Sequence, residues 1–198
     1  MMKENKELMA EARASLSGNW GLAVGTFLVY IIIVGSIQLI PTIGDVLFLF
    51  IAGPMSVGIS MFSLSLSRGE NARLEQIFEG FRNYGTVLGA YLLMVVFIIL
   101  WALLLIIPGI IAAIAYSQTF YILAEDDTIG SMEALRKSKE MMNGYKWKYF
   151  CLGLRFIGWV LVCVLTLGIG VLWLSPYIQV SYAKFYEDLK TNQAVSES

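Results

Sequence analysis

Long apolar stretches alternate with short polar ones along the chain, and this alternation predicts membrane-spanning helices. Uncharged runs at 20–40 and 87–107 have the length of about 20 residues that an α-helix needs to cross a bilayer core. Turn signals divide the apolar stretches into pairs: PTIGD at 41–45, IIPG at 106–109 and TLGIG at 166–170. We therefore predict an all-α, polytopic membrane bundle of six transmembrane helices, arranged as three repeated hairpins.

The composition agrees with this pattern, since 58% of the 198 residues are hydrophobic, 15% are charged and the mean hydropathy is +0.70. We interpret residues 1–198 as a single integral membrane domain with repeat units of approximately 1–66, 70–126 and 131–189, and residues 190–198 as a flexible polar tail. The predicted spans are 20–40, 46–66, 87–107, 110–124, 149–167 and 170–186.

An amphipathic segment precedes each hairpin and ends at Gly or Asn beside Trp or Tyr. The apolar positions fall on one helical face in each segment: Leu8, Ala12 and Leu16; Leu74, Ile77, Phe78 and Phe81; Leu135, Met142 and Tyr145. Such helices are predicted to lie in the headgroup plane, apolar side down, until the break turns the chain into the bilayer. The predicted interfacial anchors are Trp20, Tyr84, Tyr145 and Trp147.

Basic residues concentrate in the segments between hairpins, whereas the three hairpin tips contain only one charged residue, Asp45. The positive-inside bias therefore predicts a multi-pass protein of the cell membrane with both termini and both long loops in the cytoplasm. Arg155 is the exception, because it lies within the fifth predicted span. Two interpretations stay open for it: snorkelling to the interface, or facing the bundle interior.

Polar residues recur at matching positions in the second helix of each hairpin. YSQTFYILAED at 116–126 and YIQVSYAKFYED at 177–188 align Tyr with Tyr and Gln with Gln, and the first hairpin has a serine stripe instead. Such stripes form either a packing seam between helices or the lining of a polar ligand or lipid cavity. The candidate cavity residues are Gln118, Gln179, Tyr116, Tyr121, Tyr177, Tyr182, Ser56, Ser60 and Arg155.

Catalytic and cofactor chemistry finds little support in the sequence. The chain has no His and only Cys151 and Cys163, so we expect no metal and no cofactor. The clustered acids at 125–127 and 187 are interpreted as capping and charge balance rather than acid/base catalysis. A net charge of −1 without a basic block gives no reason to expect nucleic acid as a partner.

Three stretches carry a family resemblance: LSGNWG at 16–21, PGIIAAIAYSQTFYILAEDD at 108–127, and the region from MNGYKWKYFCLGL through FIGW to the end of SPYIQVSYAKFYEDL at 142–189. Nearly the whole chain resembles the bacterial integral-membrane family known as Domain of Unknown Function 975. The resemblance implies a multi-span bacterial membrane protein of unassigned activity, and it supplies no catalytic residues.

The functional expectation is a non-enzymatic lipid-binding protein, or an accessory or scaffold protein of a membrane complex. Its expected partners are the lipid bilayer and either another membrane protein or further copies of the chain. The alternative is a small-molecule or lipid transporter with a pathway lined by the Tyr, Gln and Ser stripes.

Overall fold

The structure is a computed structural model that describes residues 2–41 and 43–197, and the described residues form ten α-helices joined by short turns. The helices are α1 Asn5–Leu16, α2 Trp20–Gln38, α3 Ile43–Arg68, α4 Gln76–Glu79, α5 Tyr84–Leu104, α6 Ile106–Ala115, α7 Thr119–Glu125, α8 Ser131–Met141, α9 Lys146–Leu165 and α10 Val171–Glu197.

Five stretches are long and apolar enough to cross a membrane, in agreement with an all-helical membrane protein. They are α2, α3, α5, the Ile106–Glu125 stretch formed by α6 and α7, and α9. Helix α10 is not among them, because its second half carries Lys184, Glu187 and Asp188. The sixth span at 170–186 therefore stays a prediction. Because α10 continues through Glu197, most of the segment predicted as a polar tail is helical.

The turns between paired helices differ in how closely they follow the sequence signals. TLGIG forms the turn before α10, where Leu167 and Gly168 have φ values of 52° and 86°. IIPG is wrong as a turn, because it begins α6 and the break is the extended Leu105 (φ −163°, ψ 143°). Pro108 is tolerated there because an N–H in the first helical turn has no intrahelical partner.

Helices α3, α6 with α7, and α10 form the centre of the bundle, and the less buried α2, α5 and α9 surround it. In the most apolar windows of α3 and of Ile106–Glu125, 56% and 50% of the residues are buried. The corresponding fractions are 17% for α2, 11% for α5 and 17% for α9. Helix α3 packs against both α7 and α10, so these three helices meet near the axis of the bundle.

Helices α1 and α8 match the predicted amphipathic segments, whereas the second segment forms only the single turn α4, and Phe78 and Phe81 of its predicted apolar face are 45% and 36% exposed. The buried apolar side chains of the three segments pack on protein rather than facing hydrocarbon. Leu8, Leu16, Ile77 and Leu135 are at most 1% exposed. Helix α1 packs against α10, α4 against α3, and α8 against α5 and α7. For α1 and α4 the reason is helix length: α10 and α3 have 27 and 26 residues, so they extend past their shorter partners and offer an apolar surface. The expected headgroup-facing orientation is wrong for these side chains.

We call the end of the bundle that carries α1, α4 and α8 the charged end, and the opposite end the tip end. The predicted breaks at the charged end are confirmed at Gly18 and Gly144, whose φ values of 86° and 82° lie in the left-handed region that favours glycine. Each break reverses the chain from an amphipathic helix into an apolar one.

Candidate functional site: a central polar cavity

A cavity of about 490 Å³ lies between the three hairpins. Seven of the helices, from α2 to α10, contribute to its wall. The lining residues are Phe27, Tyr30, Ser56, Ile59, Ser60, Met94, Ile98, Ala113, Ser117, Phe120, Tyr121, Tyr149, Gln179 and Tyr182.

Helix α3 supplies two hydroxyls to the cavity wall from successive turns. Ser60 Oγ donates a hydrogen bond to the Ser56 carbonyl oxygen at 2.8 Å, one turn earlier. Pro54 lies inside the same helix, where its missing N–H removes one backbone hydrogen bond. Because Ser56 and Ser60 are four residues apart, both side chains lie on the same face of α3, which turns toward the bundle interior.

Tyrosines on the second and third hairpins form the polar part of the wall. The Tyr121 hydroxyl donates a hydrogen bond to the backbone carbonyl oxygen of Gln179 at 3.2 Å and thereby joins α7 to α10. The Tyr149 and Tyr182 rings stack with their centroids 4.8 Å apart. Among the described residues, the Gln179 side-chain amide has no hydrogen-bond partner within the protein. This amide remains available to a ligand.

The cavity wall carries hydroxyl and amide groups but, among the described residues, no charged side chain. An ion inside it would lose its hydration without a counter-charge, which is costly in a low-dielectric interior. An uncharged group with hydrogen-bonding capacity matches this lining.

Five of the nine predicted cavity residues line the cavity: Ser56, Ser60, Tyr121, Gln179 and Tyr182. The other four lie outside the cavity wall.

Gln118 is fully buried beside the cavity, where its Nε2 donates to Ser117 Oγ at 2.7 Å and its Oε1 has no partner in the described structure. Tyr116 and Tyr177 line two separate grooves on the bundle surface. Arg155 is exposed on α9 and does not line the cavity, and snorkelling to the interface stays a prediction.

Sequence reasoning missed three polar lining residues: Tyr30, Ser117 and Tyr149. Tyr30 and Tyr149 belong to the first helices of their hairpins, where the sequence shows no polar stripe that would single them out. Ser117 lies next to Gln118 at the break between α6 and α7, a position that an uninterrupted helix does not predict.

An ion-pair network joins the three second helices at the charged end. Arg68 at the end of α3 pairs with Glu125 of α7 and, at 2.6 Å, with Glu187 of α10. Lys190 lies 2.8 Å from Glu125, and the Tyr186 hydroxyl donates to the same carboxylate at 2.7 Å. The acids were predicted only as solvated charge balance, whereas Glu125 is a partly buried centre of this network.

Aromatic rings separate the ion-pair network from the cavity. The Tyr186 ring, whose hydroxyl belongs to the network, stacks on Tyr121 with centroids 5.4 Å apart, and Tyr121 lines the cavity. Phe185 packs edge-on against Tyr149 at 5.3 Å. The cavity is therefore bounded at the charged end by an aromatic layer, and the ion pairs lie beyond it.

Asp126 and Lys3, which both lie outside the apolar stretches, have shifted pKa values with structural causes. The hydroxyl and the backbone N–H of Thr128 donate to Asp126 at 2.6 and 2.9 Å and lower the pKa of that carboxyl. A hydrogen bond to Glu11 raises the pKa of Lys3. Both groups stabilise local turns and helix ends, and neither contributes to the cavity.

The predicted anchors all lie at the charged end, with different exposure. Trp147 is 72% exposed and Tyr84 is 38% exposed, and Tyr84 stacks on Phe81. Trp20 and Tyr145 are half-buried. The two exposed rings are therefore the ones free to contact an interface.

Five membrane-length apolar helices around a polar cavity indicate a helical membrane protein. Within the described residues, no group of three or more His, Cys, Asp or Glu side chains could hold a metal ion. A family model described as "Protein of unknown function (DUF975)" matches residues 1–113 and 102–193, and the chain belongs to this family. No curated protein and no solved structure matches the chain significantly.

Proposed function

We propose that the protein is a non-enzymatic membrane protein that binds an uncharged amphipathic molecule in its central cavity. The observation that carries the proposal is the lining of this cavity, in which hydroxyls and an amide face inward and charged side chains are absent among the described residues. A ligand hydroxyl can satisfy the free Gln179 amide, while the apolar walls accept hydrocarbon.

The lining favours a lipid-like ligand over a small polar solute. Phe27, Ile59, Met94 and Ile98 share the cavity with the hydroxyls, so the wall offers apolar surface and hydrogen bonds side by side. A neutral lipid headgroup with a short length of chain uses both kinds of surface. A strongly hydrated solute would lose water in this cavity and gain no favourable contact with the apolar part of the wall.

A thermal-shift experiment tests this proposal with a monoacylglycerol as the probe. In detergent, we expect the monoacylglycerol to raise the apparent Tm of the wild type, and a fatty acid of the same chain length to raise it less. Ser56→Phe, which fills the cavity, should abolish the shift. The matched control is Ser36→Phe, because Ser36 is exposed on α2. Equal shifts for both amphiphiles, or an unchanged shift in Ser56→Phe, would overturn the proposal.

A second candidate function is transport of the same kind of molecule. The observation that favours it is the layered charged end, where aromatic rings and ion pairs stand between the cavity and the loops. A pathway through the cavity passes Gln179 and the neighbouring Gln118, so Gln118→Leu combined with Gln179→Leu should abolish flux into liposomes while expression stays normal. Normal flux in that double variant would count against transport and leave binding as the function. The accessory role inferred from the sequence stays a prediction.

A further inference from the structure

A first surface groove, of about 340 Å³, lies where α1 and α2 meet α9 and α10. Its wall is mainly apolar and includes three of the five tryptophans: Trp20, Trp159 and Trp173. Arg13 stands at the charged end of this groove, with its guanidinium carbon 5.6 Å from the centroid of the Tyr177 ring. The groove thus combines a long apolar wall with one cation at its end.

A second groove, of about 280 Å³, lies between the second hairpin and the helices α8 and α9. Its wall is formed by apolar residues and Tyr116, and two cations, Lys139 and Lys146, stand at the charged end. Trp101 lines it toward the tip end. This groove has the same layout as the first one.

Two residues of the first groove have counterparts at matching sequence positions in the second groove. Arg13 lies five positions before Gly18, and Lys139 lies five positions before Gly144, the two glycines that end α1 and α8. Tyr177 and Tyr116 occupy matching positions in the two polar stripes. Two separate parts of the chain therefore place a cation and a tyrosine on equivalent apolar grooves.

The corresponding junction of the first hairpin is packed shut. Aligning Tyr84 with Trp20 places Ile77 where Arg13 stands, and Ile77 is fully buried. A Cβ atom built on Gly58 of α3 would stand 2.0 Å from the Ile77 carbonyl oxygen, so α3 and α4 touch backbone to backbone. Where the cation is replaced by isoleucine, the two helices have closed on each other.

The groove cations lack anionic partners within the protein. Across residues 2–41 and 43–197, none of Arg13, Lys139 and Lys146 forms an ion pair. Neighbouring basic residues are paired, since Arg136 lies 3.7 Å from Glu140 and Lys148 lies 3.8 Å from Asp188. A cation at the edge of an apolar groove is complementary to a ligand with an anionic head and a hydrocarbon tail.

We propose that the two grooves are binding sites for anionic phospholipid, one molecule in each. An acyl chain lies along the apolar wall, and the phosphate contacts Arg13 in the first groove and Lys139 with Lys146 in the second. A guanidinium or a pair of ammonium groups at a membrane interface binds a phosphate by charge-assisted hydrogen bonds. These sites are separate from the central cavity, whose lining is uncharged.

Native mass spectrometry tests the proposal on the full chain. The protein is reconstituted into vesicles of equal phosphatidylglycerol and phosphatidylcholine and released in a mild detergent. We expect the wild type to retain two molecules of phosphatidylglycerol and neither site to retain phosphatidylcholine. The Arg13→Gln variant should retain one phosphatidylglycerol molecule, and so should the double variant Lys139→Gln with Lys146→Gln. The triple variant should retain no phosphatidylglycerol.

Matched controls separate site binding from general attraction to positive charge. Lys6→Gln on α1 and Lys137→Gln on α8 remove the same charge from exposed positions outside both grooves, and they should still retain two lipids. Equal lipid loss in these controls, equal retention of phosphatidylcholine, or a lipid-free dimer that covers the grooves would overturn the proposal. An unchanged Tm in the absence of added lipid verifies that each variant folds.

Discussion

The two ends of the bundle are stabilised in different ways. At the charged end, Leu8 and Leu16 are fully buried, and Arg68 links carboxylates from two other helices. At the tip end, Leu103 and Leu165 are each 82% exposed, and a single extended residue, Leu105, joins α5 to α6. Protein–protein packing therefore dominates the first end, whereas the second end presents its apolar side chains outward.

This difference follows from the surroundings of each end, which are lipid tails at the tip end and water at the charged end. A leucine that faces lipid tails loses little when it is left uncovered by protein, because hydrocarbon surrounds it in either case. An amphipathic helix at the charged end has water on its polar side, so burying Leu16 against α10 removes apolar area from water. We therefore expect the free energy of unfolding to depend mainly on residues at the charged end.

The largest expected effect comes from truncating a buried leucine of α1. Leu16→Ala should lower the free energy of unfolding by roughly 2 to 5 kcal/mol, because it leaves a cavity between α1 and the bundle. Leu103→Ala is the matched control at the tip end and should change it by less than about 0.5 kcal/mol. Unfolding by SDS in mixed micelles measures both. Equal losses for the two variants would contradict the comparison of the ends.

The next effect concerns the backbone contact between α3 and α4. Gly58→Ala should destabilise the protein by about 1 to 3 kcal/mol, because the new Cβ meets the Ile77 carbonyl and forces α4 away from α3. Gly85→Ala serves as the control, since no atom lies within 4 Å of a Cβ built there. The same unfolding titration distinguishes them. A neutral Gly58→Ala would show that α4 can shift freely.

The smallest of the three effects comes from the ion-pair network. Glu125→Gln keeps the shape of the side chain but removes the charge that Arg68 and Lys190 share, so a loss of roughly 0.5 to 1.5 kcal/mol is expected. Asp127→Asn removes an exposed acid nearby and should be close to neutral. If both variants unfold at the same SDS fraction as the wild type, the network contributes nothing to stability.

Much of the architecture could be predicted from hydrophobic periodicity and from two glycine breaks. The helical class and the breaks at Gly18 and Gly144 depend on local signals that the chain carries explicitly. The break at Leu105 has no such signal, because LLLII at 103–107 is typical of a continuous helix. Pro108 predicts a turn at a position three residues after the observed break. The six-span count and the orientation in the membrane stay predictions.

Cavity-lining residues could be predicted where a polar pattern repeats along the sequence, but not where a single polar residue has no counterpart in another segment. Tyr121, Gln179 and Tyr182 follow from the matching stripes, whereas Tyr30 and Tyr149 reach the cavity only through the packing of three hairpins. Burial of α1 against α10 depends on how far α10 extends beyond the apolar core, a tertiary property that sequence periodicity does not contain.

The central claim is that the cavity holds an uncharged amphipathic molecule. The most direct measurement is native mass spectrometry of the protein released from its own membranes in a mild detergent, for the wild type and for Ser56→Phe. We predict one neutral amphiphile per wild-type chain and none in Ser56→Phe, while lipids bound at the surface grooves persist in both. A wild-type chain that carries no such molecule, or a Ser56→Phe chain that still carries it, would contradict the proposed function.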